Sequence, residues 1–313
     1  MMSVAWLFPG QGSQVVGMGK DAFDASPAAR AIFQQADDAL DEKLSKLIFE
    51  GPIDQLTLTA NAQPALVTVS CALLATLKER IPNLAPPAFA AGHSLGEYSA
   101  LVAAGALTLG DAVRLVRARG QAMQEAVPAG VGAMAAVMGL DSDPVRAICK
   151  DASIDGEIVS PANFNAPGQI VIAGHKKAVA RASELVSAQK GKAIQLNVSA
   201  PFHCALMAPA ARVVEEKLKS VDVKALAFPI IANVDAQPNR DPSRVKDLLI
   251  RQVDGPVRWE ESIRFMHENG ITKALEIGPG KVLAGLARRI AKEITVTSVS
   301  DVATVAQAAT VVG

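Results

Sequence analysis

Ala88-Phe89-Ala90-Ala91-Gly92-His93-Ser94-Leu95-Gly96-Glu97-Tyr98 runs from a short apolar segment into a Gly-x-Ser-x-Gly pentapeptide, and then into an Ala- and Leu-rich stretch. A nucleophile elbow needs that order: a buried strand, a very tight turn, and a helix packed on the sheet. Glycine at 92 and 96 removes the side chains that would collide in such a turn. The pentapeptide alone arises by chance, so its flanks carry the argument. They predict a strand over 88–91, a helix over 95–106, and a Ser94 hydroxyl raised above a sheet edge. The competing reading is a surface serine in a Gly-rich turn.

Composition bounds the rest. Half of the 313 residues are hydrophobic but only 4% are aromatic, which suits a helix-covered sheet whose central strands are buried on both faces. Lys plus Arg equals Asp plus Glu at 31 each, so neither nucleic acid nor an anionic membrane surface is an expected partner. The first residues lack a basic leader with an apolar core. No apolar run approaches roughly 18 residues without charge or turn residues, so no transmembrane helix is expected. Cys71, Cys149 and Cys204 are scattered, with no C-x-x-C spacing. They argue for a reducing, cytoplasmic setting and against structural zinc or a disulfide framework. Each is expected to pack as a small buried hydrophobe.

Along the chain, residues 4–8 read as a strand that runs into Pro9-Gly10-Gln11-Gly12-Ser13-Gln14. Open α/β sheets place their sites at such strand ends, and this loop has neither P-loop nor dinucleotide spacing. Helices are expected over 28–40, 62–79 and 111–127. The middle then changes character. Strands over 132–138, 157–162, 169–173 and 192–198 alternate with helices from Asp143-Pro144 and over 176–189, with Pro144 opening its helix and a turn at 163–168. The order β-α-β-β-α-β is ferredoxin-like. Further strands are expected near 230–233 and 274–277. The expected fold class is therefore α/β: a large subdomain with a parallel sheet and nucleophile elbow, and an inserted ferredoxin-like small subdomain. The boundaries fall at 1–128 with 199–313, and at 129–198.

A serine hydroxyl needs a base, and the chain has four histidines. His93 adjoins Ser94, where consecutive side chains diverge. His175 opens a helix at a solvated position. His267 shares a helical face with Trp259, Ile263 and Met266. His203 remains, where the chain returns from the insertion, either as the base or as a residue that merely lines a crevice between subdomains. Arg119 falls at the centre of the apolar face formed by Ala112, Leu115, Val116, Ala122, Met123 and Ala126, with Arg114, Arg117, Gln121 and Glu125 opposite. A guanidinium aimed inward needs an anion. That anion is either a carboxylate of this chain or a carboxylate on a substrate.

Together these residues bear a resemblance to the malonyl-CoA:acyl carrier protein transacylase family, with its polyketide acyltransferase relatives. The matching segments run nearly end to end: 8–14 (FPGQGSQ), 61–66 (NAQPAL), 92–98 (GHSLGEY), 119–123 (RGQAM), 199–203 (SAPFH), 252–259 (QVDGPVRW) and 276–280 (EIGPG). The resemblance implies an α/β-hydrolase-like large subdomain and a ping-pong transfer from malonyl-CoA to the phosphopantetheine thiol of acyl carrier protein. It casts Ser94 as nucleophile and His203 as general base and acid. Main-chain N–H groups of Gln11 and Leu95 hold the oxyanion, and such donors contribute about 3–4 kcal/mol each. Arg119 binds the malonyl carboxylate, Gln63 lines the pocket, and the main-chain carbonyl of Gln252 orients the histidine. Phe202 matches the bulky residue of malonyl-selective members, although one pocket methyl decides only about 1–3 kcal/mol. No metal or organic cofactor is implied, and a monomer is expected. The carrier is acidic in the family, so Lys190, Lys192, Arg288 and Arg289 are candidates to receive it. The rival readings are a trans-acting polyketide acyltransferase, a serine esterase or thioesterase, and a scaffold that binds carrier protein without turnover.

Overall fold

The computed structural model describes residues 4–198 and 200–312. Ser199, at the expected subdomain boundary and the head of the 199–203 motif, lies outside the described residues, as do the first three. The strands in chain order are β1 Val4–Phe8, β2 Phe89–Gly92, β3 Gly132–Met138, β4 Val159–Ala166, β5 Gln169–His175, β6 Lys192–Gln195, β7 Ile230–Ile231, β8 Pro238–Asn239, β9 Lys273–Ile277 and β10 Thr295–Val299.

Six of them form one sheet in the order β10-β9-β1-β2-β7-β8, parallel except for β8. Ala5, Trp6, Leu7 and Phe8 are all buried, as a central strand covered on both faces must be. The helix Thr59–Arg80 lies against the Pro27–Leu40 and Leu109–Glu125 helices and is buried on nearly every side. By length and composition alone it could cross a membrane, although Asn61 and Pro64 interrupt its apolar run. Its apolar residues face protein instead. Full burial of side chains such as Leu66, Leu73 and Leu77 contributes about 1.5–3 kcal/mol each.

The other four strands form an antiparallel sheet in the order β4-β5-β3-β6. Val145 and Ile148 from the Ser142–Ala152 helix, with Val179 and Val186 from Lys176–Ala188, cover one face through Val137, Ile170 and Ile172. The opposite face, with Met134, Ala162, Val171 and Ala173, packs on Phe202, Cys204 and Leu206. That contact brings the second sheet over the elbow.

Several local expectations change. The 163–168 turn shrinks, because β4 continues to Ala166 through two register shifts. Phe164 is buried, and its N–H bonds Val257 O in an isolated parallel bridge between β4 and the segment before the Trp259–Glu268 helix, so tertiary pairing overrides the Asn and Pro turn signals. Pro144 is the third helical residue rather than the first; it is tolerated because the opening N–H groups of a helix lack internal partners. β6 stops at Gln195 and β7 at Ile231; Leu196 N–H still bonds Met134 O on β3, while 197–198 and Asn233 turn to other contacts.

Candidate active site

β2 ends at Gly92 and the next helix is Gly96–Ala103, with Ser94 between them in the left-handed region at φ 51°. A Cβ on Gly92 would lie 1.8 Å from the Gly96 carbonyl carbon, and one on Gly96 would lie 2.3 Å from Phe8 O. Both positions therefore demand glycine. A serine held at positive φ costs about 1–3 kcal/mol, which the surroundings must offset. Asn233 does so from β7's end: its Oδ1 accepts the Ser94 N–H at 2.7 Å, and its Nδ2 donates to Gly92 O at 2.7 Å. Sequence reading missed Asn233. A polar residue closing an apolar run at a strand's carboxyl end is the signal that marks it.

Ser94 Oγ lies 2.8 Å from His203 Nε2. His203 Nδ1 lies 2.9 Å from Gln252 O and 3.2 Å from Gly255 O. Carbonyls only accept, so Nδ1 carries the proton and Nε2 presents its lone pair to the serine. Burial, with the Arg119 cation close by, pushes the His203 pKa down to about 3. Both causes disfavour imidazolium, so the accepting form is present throughout the neutral range. NMR of a ring-labelled His203 is expected to show no titration between pH 8 and 5. A midpoint near the ordinary value of about 6.5 would contradict this.

Arg119 projects from the Leu109–Glu125 helix and is 1% exposed. Its Nη1 donates to Gln63 Oε1 at 2.7 Å, and its Nη2 donates to Ser94 Oγ and to Gln252 Oε1, both at 3.0 Å. Among the described residues no carboxylate pairs with it directly, and its buried Nε has no acceptor. The positive charge is thus held by neutral acceptors and a hydroxyl, an arrangement able to take an incoming anion. Arg117, expected on the solvated face, instead turns partly inward to Glu42 and Asn61.

A cavity of about 270 Å³ opens onto Ser94, His203 and Arg119, and Gln11, Gln63 and Phe202 also line it. Met123, Met134, Leu196 and Val198 supply apolar wall that sequence reading had not assigned. Leu95 is buried behind Ser94, and Gln252 reaches the cavity only through His203 and Arg119. Among the described residues, the N–H groups of Gln11 and Leu95 donate to no protein acceptor.

Of the other histidines, His93 also lines the cavity, whereas His175 and His267 do not. His93 bonds Asn165 Oδ1 through Nε2 at 2.9 Å, which ties the elbow to β4. His175 Nδ1 accepts the Ile158 N–H, so its side chain caps no helix. His267 is partly exposed, 3.8 Å from Glu293, rather than fully packed. Lys190, Lys192, Arg288 and Arg289 are exposed, and Arg289 bonds Gln169 and Pro167 O on the β4–β5 hairpin.

Residues 5–313 match the family model described as acyl transferase domain. The chain is 50% identical over 306 residues to the malonyl CoA-acyl carrier protein transacylase of Bacillus subtilis (strain 168), covering 97% of this chain and 96% of that one. The crystal structure of acyl-carrier-protein-S-malonyltransferase from Bartonella henselae superposes with a TM-score of 0.96 at 50% identity, with full coverage of both chains. A type II PKS acyl-carrier protein in complex with its malonyl-transacylase is similar at a TM-score of 0.94 and 43% identity, covering 98% of this chain and 99% of that one.

Proposed function

This chain belongs to the acyl transferase domain family, and from that premise we propose that it moves malonyl from CoA to the phosphopantetheine thiol of acyl carrier protein, through an ester on Ser94. One observation carries the reading. The Ser94 hydroxyl sits between a neutral imidazole at 2.8 Å and, at 3.0 Å, a buried guanidinium that has no direct carboxylate partner among the described residues. A simple esterase has no use for the second group.

Ser94 Oγ attacks the thioester carbonyl while its proton passes to His203 Nε2. The tetrahedral oxyanion takes hydrogen bonds from the Gln11 and Leu95 N–H groups. Its collapse breaks the C–S bond, and the CoA thiolate leaves with the proton from His203. The carrier thiol then runs the same steps in reverse order, with its proton passing to His203 and back to Ser94. Arg119, steadied by Gln63, pairs with the malonyl carboxylate, and Phe202 crowds any branch at the malonyl α-carbon. The Gln252 carbonyl holds the imidazole without adding a charge behind it. No cofactor is needed, since nucleophile, base and anion partner are all side chains.

The division into 1–128 with 199–313 and 129–198 belongs to the same proposal, supported by the separate four-stranded sheet. A cytoplasmic location is supported by three unpaired, buried thiols. Intact mass after incubation with malonyl-CoA tests the mechanism: a malonyl increment should appear and then vanish when carrier protein with a free pantetheine thiol is added. Rapid release of free malonate instead would favour the thioesterase. Lys190, Lys192, Arg288 and Arg289 are the proposed landing charges for the acidic carrier. The KM for carrier should therefore rise with ionic strength, because screening acts beyond about 10 Å at 0.1 M salt. A salt-independent KM would remove these residues from the carrier's path.

A further inference from the structure

Beneath the elbow lies a buried carboxylate that the transfer steps do not use. Glu97, second residue of the Gly96–Ala103 helix, is 3% exposed. Its Oε2 accepts the Asn233 main-chain N–H at 3.0 Å and Gln252 Nε2–H at 2.8 Å. Gln252 Nε2 donates also to Ser94 O at 2.9 Å, and its Oε1 accepts from Arg119 Nη2. The chain of constraints has one direction. The Asn233 N–H can only donate to Oε2, and Ser94 O can only accept from Gln252, so the Gln252 NH₂ is held on the side of Glu97 and Ser94. The Gln252 carbonyl oxygen is then left facing the guanidinium, which itself can only donate.

We propose that Glu97 is a positioning residue: through the Gln252 amide it fixes the rotation of the Arg119 guanidinium, and so sets the preference for an acyl group that carries a carboxylate. Bidentate recognition depends on that rotation, and small misplacements of a binding group cost rate steeply. The proposal rests on the reading of Arg119 as the malonyl partner. It also explains how an unpaired cation is kept in place without a direct ion pair, which would compete with the substrate for the same N–H groups.

The test compares Glu97→Leu, Glu97→Gln, Gln252→Met, the Glu97→Leu/Gln252→Met double variant and Arg119→Ala. Each is assayed for kcat and KM with malonyl-CoA, for acylation by p-nitrophenyl acetate, which has no carboxylate, and for thermal midpoint. Glu97→Leu should lower the malonyl-to-acetate ratio about tenfold or more, mainly through KM. Glu97→Gln keeps an oxygen where Oε2 stood and should restore the ratio to within about threefold. The double variant should show no lower ratio than Gln252→Met alone, because the two residues act in series. Equal losses on both substrates, or multiplying losses in the double variant, would overturn the proposal. Should Glu97→Leu not fold, Gln252→Met decides, and an unchanged ratio there refutes the relay. A malonyl preference that survives Arg119→Ala refutes the reading of Arg119 itself. A preference lost in Arg119→Ala but kept in Gln252→Met refutes only Glu97's part.

Discussion

Ser94→Ala is expected to abolish malonyl transfer, with a loss of at least ~10³-fold in kcat, and to leave the protein unlabelled after incubation with malonyl-CoA. Loss of the hydroxyl removes the oxygen that faces His203 Nε2 at 2.8 Å and that the proposed ester needs. Cys204 directly follows the base, His203. Its thiol is buried, donates to Pro201 O, and is pushed up to about 11 by burial. Alanine carries the same Cβ as serine, so the left-handed backbone at φ 51° is no more strained than before. The thermal midpoint should therefore move little. Transfer that persists at the wild-type rate, or an adduct that still appears, would move the chemistry away from the elbow.

Arg119→Ala is expected to cost malonyl transfer about 2–5 kcal/mol, or roughly 30- to several-thousand-fold in kcat/KM, the usual effect of truncating one partner of a buried charged contact. The variant also leaves Gln63 and Gln252 without their cation and opens space beneath Ser94. The diagnostic is selectivity. Acylation by acetyl-CoA, which offers no carboxylate, should fall much less, so that the variant no longer prefers malonyl. An equal loss with both donors would show that Arg119 serves Ser94 Oγ, which it also contacts, rather than the acyl carboxylate. The same substitution should destabilise the fold modestly, because two buried amide oxygens lose a donor. Activity is therefore best compared at a temperature well below both midpoints.

Much of this site was legible in the chain. The elbow followed from two glycines flanking a serine, set between an apolar run and an Ala-rich segment, and the ferredoxin-like order followed from alternating periodicities. Arg119 stood out as a charge on an apolar helical face. Other features were hidden for physical reasons. Asn233, Glu97 and Gln252 are separated by 136 and 155 residues in the pairs that join at one carboxylate oxygen, and a hydrogen bond across such distances leaves no local pattern. β4 was misjudged because Asn163, Asn165 and Pro167 favour turns, while the pairing of Phe164 with Val257 pulls the segment straight. Arg117 was placed in solvent by periodicity, yet Glu42 and Asn61 draw it in.

The sequence by itself determined the fold class, the elbow that carries Ser94 and the inward guanidinium, because each depends on chain-local sterics or on helical and strand periodicity. The tertiary structure alone decided what surrounds them. It brought His203 within 2.8 Å of Ser94 by seating Phe202, Cys204 and Leu206 against the second sheet. It gave Arg119 neutral partners and no direct ionic one among the described residues, and it buried Glu97 where it holds Gln252. Those properties are sums over contacts between distant segments. They exist only once the two sheets have closed over a common cavity and excluded water from the groups inside.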